Sequence, residues 1–342
     1  MLRDVTTGRS RLGWNDTYDD AWKKLGCPEP VGRIRRLDRG WSTIDTGDGE
    51  MLRVRNIGAA VAVGDWVVIS PDGERVAEVL PRISAFIRRA SFEGSRGQTD
   101  TLAANVDVVF LVHALSSPPK QRRLERELVL AYDSGAQPVV VLTKADIADN
   151  VESDVMEVAA TALGAPVHSV SSVLNTGMDA LLEYTAGGKT VALLGASGVG
   201  KSTLVNALVG HNVQDTGEIR EGDQRGRHTT VAAQLIDLPK GGFLIDTPGL
   251  RAVALWGEGN GIERAFSDIF DLMDNCRFRD CKHNAEPGCA LQEAITNNEL
   301  DPDRLRHLLH LIDELERFED EVKAQTKAGD KRGRRKPKPT LK

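Results

Sequence analysis

The sequence predicts an α/β domain built on a parallel sheet, preceded by a small β-barrel and followed by a helical region. Three observations predict it. Residues 31–92 hold short β-rich runs separated by Gly- and Asp-containing turns, residues 100–252 alternate apolar strands with helices, and residues 253–328 are polar and helical with a Cys/His cluster. Strand–helix alternation with nearly continuous Val/Leu strands is typical of a parallel sheet covered on both faces.

The composition excludes several classes of protein. The chain has 342 residues, a net charge of −6, 40% hydrophobic and 27% charged residues, which suits two or three globular domains rather than a disordered chain. Its longest apolar run, 106–115, is far shorter than the roughly 18–20 residues that cross a bilayer. The first ten residues lack the apolar core of a secretory signal. We therefore expect a cytoplasmic protein, without a membrane partner, that acts as a monomer.

The charge is unevenly distributed. The last twelve residues carry seven basic groups and no acid, which leaves −13 on the rest of the chain. We expect 329–342 to be a disordered basic tail, either a solubilising end or an arm that contacts phosphates without sequence preference. Further basic patches lie at Arg33, Arg35, Arg36 and Arg39, and at Arg82, Arg88, Arg89 and Arg96. An average charge of −6 argues mildly against a nucleic-acid partner, but this segregation removes that argument.

The region before the α/β domain begins with an N-terminal extension, 1–30, in which Trp14, Tyr18 and Trp22 recur at helical spacing. In 31–92, hairpin turns are expected at 46–49 and 71–73, where Gly and Asp follow β-rich runs. Several short strands in about 60 residues favour a barrel of the oligonucleotide-binding (OB) kind. An SH3-like barrel would show a similar pattern of short strands and turns.

The α/β domain is predicted element by element. Strands are expected at 106–115, 138–143, 167–170, 191–194 and 242–245, and helices at 122–134, 151–163, 178–184 and 202–209. After it, Asp301 and Pro302 are the N-cap and first residue of a long helix. The apolar face expected to pack in the core consists of Leu305, Leu308, Leu309, Ile312 and Leu315.

A phosphate-binding loop follows the strand at 191–194. It matches the pattern GxxxxGK[ST] between a strand and a helix, which is the setting that this motif requires. Its glycines let backbone N–H groups face a polyphosphate, Lys201 would reach the β- and γ-phosphates, and the Ser202 hydroxyl would bind Mg²⁺. The residues predicted to contact the nucleotide are Gly195, Ala196, Ser197, Gly198, Val199, Gly200, Lys201, Ser202 and Thr203.

A second motif, 246–249, follows the strand at 242–245. Asp246 would hold Mg²⁺ through water, and the Gly249 N–H would sense the γ-phosphate. Between the two motifs, a polar, Gly-rich stretch precedes Thr229 and Thr230. A threonine there would complete the Mg²⁺ shell, and we favour Thr230. The predicted magnesium ligands are therefore Ser202, Thr230 and Asp246.

The choice of base depends on the tetrapeptide Thr143, Lys144, Ala145 and Asp146, at the end of the strand at 138–143. A carboxylate at Asp146 can accept from both N1–H and the exocyclic amine of guanine, and adenine offers no such pair. Ser171 and Ser172 follow the next strand and are predicted to contact guanine O6. The usual GTPase motif begins with an Asn whose amide tethers neighbouring loops, so Thr143 is a departure that puts this tether in doubt.

The order of these motifs is reversed relative to ordinary GTPases. The guanine motif at 143–146 and its partner loop at 170–172 precede the phosphate loop, the switch threonines and 246–249. A rotation of the chain restores the usual order, which predicts a circularly permuted GTPase domain. The segment that responds to the γ-phosphate then leads directly into the C-terminal Cys/His cluster.

That cluster has the spacing C-x₄-C-x-H-x₅-C and consists of Cys276, Cys281, His283 and Cys289. Three thiolates and one imidazole are the ligand set of a closed, tetrahedral Zn²⁺ site. Since no coordination position stays open, we expect one structural zinc. Cys27 lies apart and is not a predicted ligand.

Together, the N-terminal barrel, the reordered motifs and the zinc spacing resemble the RsgA (YjeQ/EngC) family of ribosome small-subunit biogenesis GTPases over nearly the whole chain. The resemblance implies an OB-type barrel, a permuted GTPase domain and a zinc-binding domain. It also implies a late maturation role on the 30S subunit and its 16S rRNA, with a slow GTPase rate that the ribosome stimulates.

The residue after 246–249 agrees with slow turnover. Ras-like enzymes place a water-orienting Gln there, whereas Leu250 stands in this chain and cannot position water. His228, beside the switch threonines, is the candidate catalytic residue. Two other functions stay open at this point: a GTP-regulated RNA-binding module with incidental hydrolysis, and an ATP-dependent enzyme on a similar loop.

Overall fold

The computed structural model describes residues 5–89, 99–213, 233–246, 260–283 and 286–333. Its strands are β1 (Val31–Asp38), β2 (Trp41–Asp45), β3 (Met51–Arg55), β4 (Trp66–Ile69), β5 (Val76–Val79), β6 (Ala85–Arg89), β7 (Thr99–Ala104), β8 (Val108–Ala114), β9 (Gln137–Thr143), β10 (Val167–Ser169), β11 (Thr190–Gly195), β12 (Gln234–Asp237) and β13 (Phe243–Asp246). Its helices are α1 (Val5–Arg11), α2 (Asp16–Lys24), α3 (Gln121–Ser134), α4 (Val151–Ala162), α5 (Met178–Glu183), α6 (Lys201–Val209), α7 (Asn260–Ala265), α8 (Ser267–Met273), α9 (Ala290–Thr296) and α10 (Pro302–Gly333). Both predicted hairpin turns are confirmed, between β2 and β3 and between β4 and β5.

A closed barrel forms from β1 to β5 within the described part of the chain. β1 pairs with β2 on one side and with β4 on the other, while β3 pairs with β2 and β5 with β4. A parallel bridge between Arg55 and Arg75 closes the ring. Its interior is filled by the alternate apolar residues of these strands, Ile34, Ile44, Val54, Val67, Ile69 and Val76. A barrel therefore lies in the predicted region, and its last strand ends at Val79.

The predicted barrel boundary at residue 92 is wrong. β6 and β7 pair with each other in a separate two-stranded sheet, with Phe86 opposite Ala103. A boundary between 92 and 100 would divide two paired strands. The sequence suggested it because β6 has the composition of a barrel strand, whereas its actual partner lies after residue 98.

The α/β domain has the predicted parallel sheet, in the order β10-β9-β8-β11-β13. Alternate residues of β8 face opposite sides, as strand geometry requires. Val109 and Leu111 share a core with residues of α3 and α4, while Phe110 and Val112 share another with α5 and α6. The strand that ends in the phosphate loop, β11, lies centrally between β8 and β13.

The barrel and the α/β domain share one continuous sheet. β12 is antiparallel to β13 and also to β1, with Arg36 opposite Gln234. β12 was not predicted, because a four-residue strand that contains Gln and Asp has no distinct apolar pattern. The N-terminal extension packs against the barrel through its aromatic residues, and the Trp14 ring meets Trp66 edge-on at 4.7 Å.

The C-terminal helices pack on α3. The Gly261 N–H, in α7, donates to Asp133 Oδ1 at 2.8 Å, and desolvation raises the pKa of this carboxyl above its usual value. α10 begins as predicted, with Asp301 Oδ1 accepting from the Asp303 N–H at 2.8 Å. Among the described helices, none combines the length and the apolar character needed to cross a bilayer.

Two expectations for α10 are wrong. Leu309 is 40% exposed, and the fully buried Leu311 takes its place in the apolar stripe with Leu305, Leu308 and Leu315. The stripe follows the 3.6-residue period on the side that faces α3, and position 309 falls outside it. The helix also extends to Gly333, so the expected boundary of the tail at 328/329 lies inside it.

A buried charge network joins α3 to the C-terminal helices. Glu125 is fully buried and contacts Arg304 Nη1 and His307 Nδ1, each at 2.5 Å. Arg304 continues to Asp268 in α8 at 2.9 Å. Nearby, Arg126 forms two hydrogen bonds to Glu314, of 2.6 and 2.9 Å. These contacts fix the C-terminal helices on the α/β domain.

Candidate functional site

The phosphate loop connects β11 to α6 as predicted. Gly195, Gly198 and Gly200 all have positive φ values, of 158°, 80° and 93°. A Cβ on Gly195 would lie 2.3 Å from the Val112 carbonyl oxygen of the neighbouring strand, so only glycine fits there. Lys201 Nζ donates to the Gly195 carbonyl at 3.0 Å, which holds the ammonium group over the loop. This is the position from which it can meet a phosphate.

The remaining predicted phosphate-side residues lie around this loop. Ser202 and Thr203 are half-buried in the first turn of α6. Asp246 ends β13, which runs parallel to β11, so this carboxylate and the phosphate loop leave the sheet at the same edge. The predicted residues Gly249, Leu250, His228, Thr229 and Thr230 lie outside the described residues.

Thr143 provides the tether that its departure from Asn had put in doubt. Its Oγ1 lies 2.5 Å from the Val199 carbonyl oxygen in the phosphate loop and 3.1 Å from the His113 carbonyl oxygen at the end of β8. Lys144 has a φ of 61° and donates through Nζ to the Gly198 carbonyl at 3.1 Å. The guanine motif and the phosphate loop are therefore joined directly, side chain to backbone.

The guanine motif also contacts its partner loop. The Ser171 hydroxyl donates to Asp146 Oδ1 at 2.6 Å, and the Ala145 N–H donates to the Val170 carbonyl at 3.2 Å. Ser171 is fully buried, while Asp146 is exposed to solvent. The hydrogen bond orients the carboxylate without enclosing it. Ser172 is half-buried, and within the described ranges its Oγ has no hydrogen-bond partner.

The four predicted zinc ligands come together in the C-terminal region. The ligand atoms of Cys276, Cys281, His283 and Cys289 all lie within 4.8 Å of one another. His283 Nδ1 lies 3.7 Å from Cys276 Sγ and 3.6 Å from Cys289 Sγ. A tetrahedral Zn²⁺ with ordinary bond lengths separates such sulfur and nitrogen ligands by about 3.6 Å. The donor set and its spacing therefore fit one zinc ion.

The electrostatics of the cluster depend on whether it holds a cation. Desolvation raises the pKa of the Cys281 thiol to about 11, and its cysteine neighbours add to the shift. Neutral thiols do not bind metal, and a bound divalent ion reverses this shift by favouring the thiolate. The His283 carbonyl accepts from Gln292 Nε2 at 2.7 Å, which fixes the backbone of a ligand with a φ of 59°.

The structure corrects the predicted basic patches. Arg33 is 2% exposed and lies in the interior between the barrel and the α/β domain. Arg35 pairs with Asp237, and Arg82 pairs with Asp65 at 2.7 Å. Three arginines of the predicted basic patches are therefore structural, because their side chains bind acidic or carbonyl groups distant in sequence. Arg36 and Arg39 stay at the surface.

Comparison with known proteins gives the family. The model of the RsgA GTPase family matches residues 79–256. The curated relative from Streptomyces coelicolor is 42% identical over 93% of this chain and 90% of its own length. The chain belongs to the RsgA GTPase family. Membership assigns GTP hydrolysis to it, and the predicted resemblance is confirmed.

Other RsgA relatives and structures agree. The relative from Streptomyces avermitilis is 45% identical over 87% of this chain and 83% of its own length. The relative from Methanosarcina acetivorans is 40% identical over 89% of this chain and 84% of its own length. All three relatives are named small ribosomal subunit biogenesis GTPase RsgA. The crystal structure of YjeQ from Thermotoga maritima has a TM-score of 0.60 at 27% identity, over 83% of this chain and 98% of that one.

The circular permutation is confirmed by the same comparisons. The structure of YloQ, described as a circularly permuted GTPase, has a TM-score of 0.57 at 24% identity, over 91% of this chain and 97% of that one. A second family model, described as 50S ribosome-binding GTPase, matches residues 190–340. That match begins at β11, where the phosphate loop follows, and leaves out the guanine motif that this RsgA chain carries earlier.

Proposed function

We propose that this RsgA family member hydrolyses GTP as a late assembly factor of the small ribosomal subunit and contacts 16S rRNA. The proposed role on the small subunit is supported by the name that its relatives share. These relatives are about 40% identical or more over most of the chain. The nucleotide site supports the chemistry, because the tether from Thr143 holds a phosphate loop and a guanine motif at one edge of the sheet.

The site residues have separate roles in this proposal. The backbone of 195–200 and the N-terminus of α6 bind the phosphates, and Lys201 neutralises the β- and γ-phosphates. Asp146 selects guanine, Lys144 covers the base and the 171–172 loop contacts O6. Ser202, Thr230 and Asp246 hold Mg²⁺, while the zinc cluster is structural. Zn²⁺ there supplies folding free energy rather than chemistry.

The barrel supplies the proposed rRNA surface. Trp41 on β2 lies under two arginines of β3, with the Arg53 and Arg55 guanidinium carbons each 5.3 Å from its ring centroid. Both arginines are exposed and Trp41 is half-buried. An aromatic ring beside guanidinium groups binds unpaired bases by stacking and phosphates by charge. This is the use expected of an OB-type barrel, and it supports the proposed contact with rRNA.

Slow intrinsic hydrolysis follows from Leu250, which stands where a water-orienting Gln is found in Ras-like enzymes. The attacking water must be positioned by another group. We propose His228 for this role, with the ribosome ordering it. A catalytic group supplied in this way is worth about 10³–10⁵ in rate in other GTPases. We place the protein in the cytoplasm, where ribosomal subunits assemble. We propose that it acts there as a monomer.

Single-turnover hydrolysis of GTP, with and without 30S subunits, tests this function. We expect a slow basal rate that rises by at least about a thousandfold with 30S subunits. His228→Ala should retain GTP binding and lose the stimulated rate. If this variant is stimulated as strongly as the wild type, His228 does not position the water. If 30S subunits do not stimulate the wild type, the proposed function is wrong.

Leu250 also favours a second candidate, a GTP-regulated RNA-binding module in which hydrolysis is incidental. In that case, 30S binding would depend on the nucleotide while turnover stays at its basal rate. Co-sedimentation with 30S subunits in GDP and in a non-hydrolysable GTP analogue, at two salt concentrations, measures the binding. The single-turnover assay decides between the two functions.

The remaining alternative, an ATP-dependent enzyme, is tested at Asp146. GTP should displace labelled GDP while ATP does not. In Asp146→Asn the carboxylate that accepts from N1–H and the exocyclic amine becomes an amide, so the preference for GTP should fall sharply. Asp149→Asn removes an exposed acid nearby and should leave the preference unchanged. Equal displacement by GTP and ATP would exclude guanine selection.

A further inference from the structure

We propose that His113 and Glu127 are positioning residues for the guanine motif, acting through the hydroxyl of Thr143. His113 lies near the carboxyl end of β8. In the sheet, β8 lies between β9, which carries the guanine motif, and β11, which carries the phosphate loop. The end of β8 therefore lies directly between the two halves of the proposed nucleotide site, on which this inference rests.

The backbone of His113 limits where the Thr143 hydroxyl can lie. Thr143 Oγ1 is 3.1 Å from the His113 carbonyl oxygen and 2.5 Å from the Val199 carbonyl oxygen. A hydroxyl has one proton and donates it to one acceptor at a time. It therefore lies between two fixed carbonyl groups, and a displacement of His113 changes its contact with the phosphate loop.

The side chain of His113 contacts helix α3. His113 follows Val109 and Leu111 on the face of the sheet that α3 covers. Its Nε2 lies 2.7 Å from Glu127 Oε2 of α3, and the two side chains are only 3% and 9% exposed. Arg123 Nε donates to the other oxygen, Oε1, at 3.0 Å. This contact meets the distance of an ion pair but not the geometry of a hydrogen bond, so each buried atom has only the charge of the other facing it.

This arrangement explains how a threonine can replace the usual asparagine. Thr has a shorter side chain than Asn and a single donor, so its reach depends on the backbone that surrounds it. The Glu127 carboxylate faces His113, and the position of the His113 carbonyl then limits where the Thr143 hydroxyl can lie as it reaches the Val199 carbonyl. His113 and Glu127 do not lie among the predicted nucleotide contacts. The proposed support of Thr143 gives this buried pair a role.

Dissociation of a fluorescent GDP analogue, measured by stopped flow in the full-length protein, tests the inference. His113→Leu removes the imidazole, and we expect about tenfold faster dissociation, the equivalent of one lost charge-assisted contact. His113→Gln places an amide donor near the position of Nε2 and should restore most of the wild-type rate. Glu127→Gln keeps the volume of the side chain and should also accelerate GDP release. This second variant tests the inference if His113→Leu does not fold.

A double variant separates positioning from general destabilisation. If His113 acts through Thr143, His113→Leu combined with Thr143→Val should release GDP no faster than Thr143→Val alone. Arg126→Gln serves as the matched control, because it breaks a contact of the same helix on the side that faces α10. It should leave the dissociation rate unchanged even where it lowers the melting temperature.

The inference is overturned if the two substitutions have additive effects, or if His113→Leu lowers the melting temperature without changing GDP release. These outcomes differ from a failure of the proposed nucleotide site. In that case, labelled GDP would not bind to the wild-type protein in a GTP-competitive manner.

Discussion

Arg33 donates a hydrogen bond of 2.8 Å to the hydroxyl of Thr190, the first residue of the strand that ends in the phosphate loop. The other donors of this guanidinium reach the carbonyl oxygens of Leu12, Gly64 and Asn105, at 2.6, 3.2 and 3.0 Å. The N-terminal extension, the barrel and the GTPase domain therefore meet at one buried arginine. Desolvation lowers its pKa to about 10, and it stays charged at neutral pH.

Arg33→Lys should lower the free energy of unfolding by about 3–5 kcal/mol, because one ammonium group cannot reach all four acceptors and leaves several buried and unpaired. Urea denaturation measures this loss. Arg36→Lys, on the same strand but at the surface, should change the free energy of unfolding by less than about 0.5 kcal/mol. Equal urea midpoints for the wild type and Arg33→Lys would show that Arg33 is not needed to connect the barrel to the GTPase domain.

The buried Glu125 should make the stability of the protein depend on acid pH. Desolvation by itself would raise the pKa of Glu125, but hydrogen bonds from His307 and Gln121 and the charge of Arg304 outweigh it, so the pKa lies below its usual 4.5. A carboxyl with a depressed folded pKa stabilises the protein above the unfolded pKa. That contribution is lost as the pH falls below about 4.5 toward the folded pKa.

Melting temperatures between pH 3 and pH 7 check this dependence. Glu125→Gln should be less stable at pH 7, since it removes the charge that Arg304 and His307 face, and its stability should fall less steeply with acid. Glu314→Gln, which alters the half-exposed pair with Arg126, provides the matched control and should keep the wild-type slope. Parallel curves for wild type and Glu125→Gln would contradict the prediction.

Removal of zinc should unfold the C-terminal region locally. Each protein molecule should release one equivalent of Zn²⁺ to a chelator, with loss of helical signal, while GDP binding at the nucleotide site persists. Cys289→Ser should retain less than one equivalent after purification. Cys27→Ser, at the exposed cysteine outside the cluster, should retain all of it. Zinc content that does not depend on Cys289 would exclude the predicted ligand set.

Trp41→Ala should weaken binding of single-stranded RNA by about 1–3 kcal/mol, the range for loss of one base–aromatic stacking contact. Trp41→Phe should retain much of the affinity. Arg53→Gln should instead reduce the slope of log affinity against log salt by about one. Fluorescence anisotropy at several salt concentrations measures both effects. The control is Arg317→Gln in the acidic stretch 313–321 of α10, and an equal loss of affinity there would mean that the barrel is not the RNA surface.

Local sequence was sufficient for the parts of this protein whose chemistry is continuous along the chain. The phosphate loop needs its glycines and Lys201 in one stretch between a strand and a helix, and the structure has them there. The predicted zinc ligands come together within 4.8 Å, because their spacing spans one short segment. The order of the motifs predicted the permutation, since a rotated chain retains each motif intact. The Mg²⁺ ligand Thr230 and the role of His228 stay predictions.

Only the tertiary structure decided which charged residues are available for binding. Arg33 and Arg82 have the same local sequence context as surface arginines, but partners distant along the chain bury or pair them. In the same way, Thr143 appeared to be a weakened tether until folding placed it between the Val199 and His113 carbonyl groups. A hydrogen bond depends on the positions of both partners, and for these residues the second partner is set by how the strands align, which no local pattern encodes.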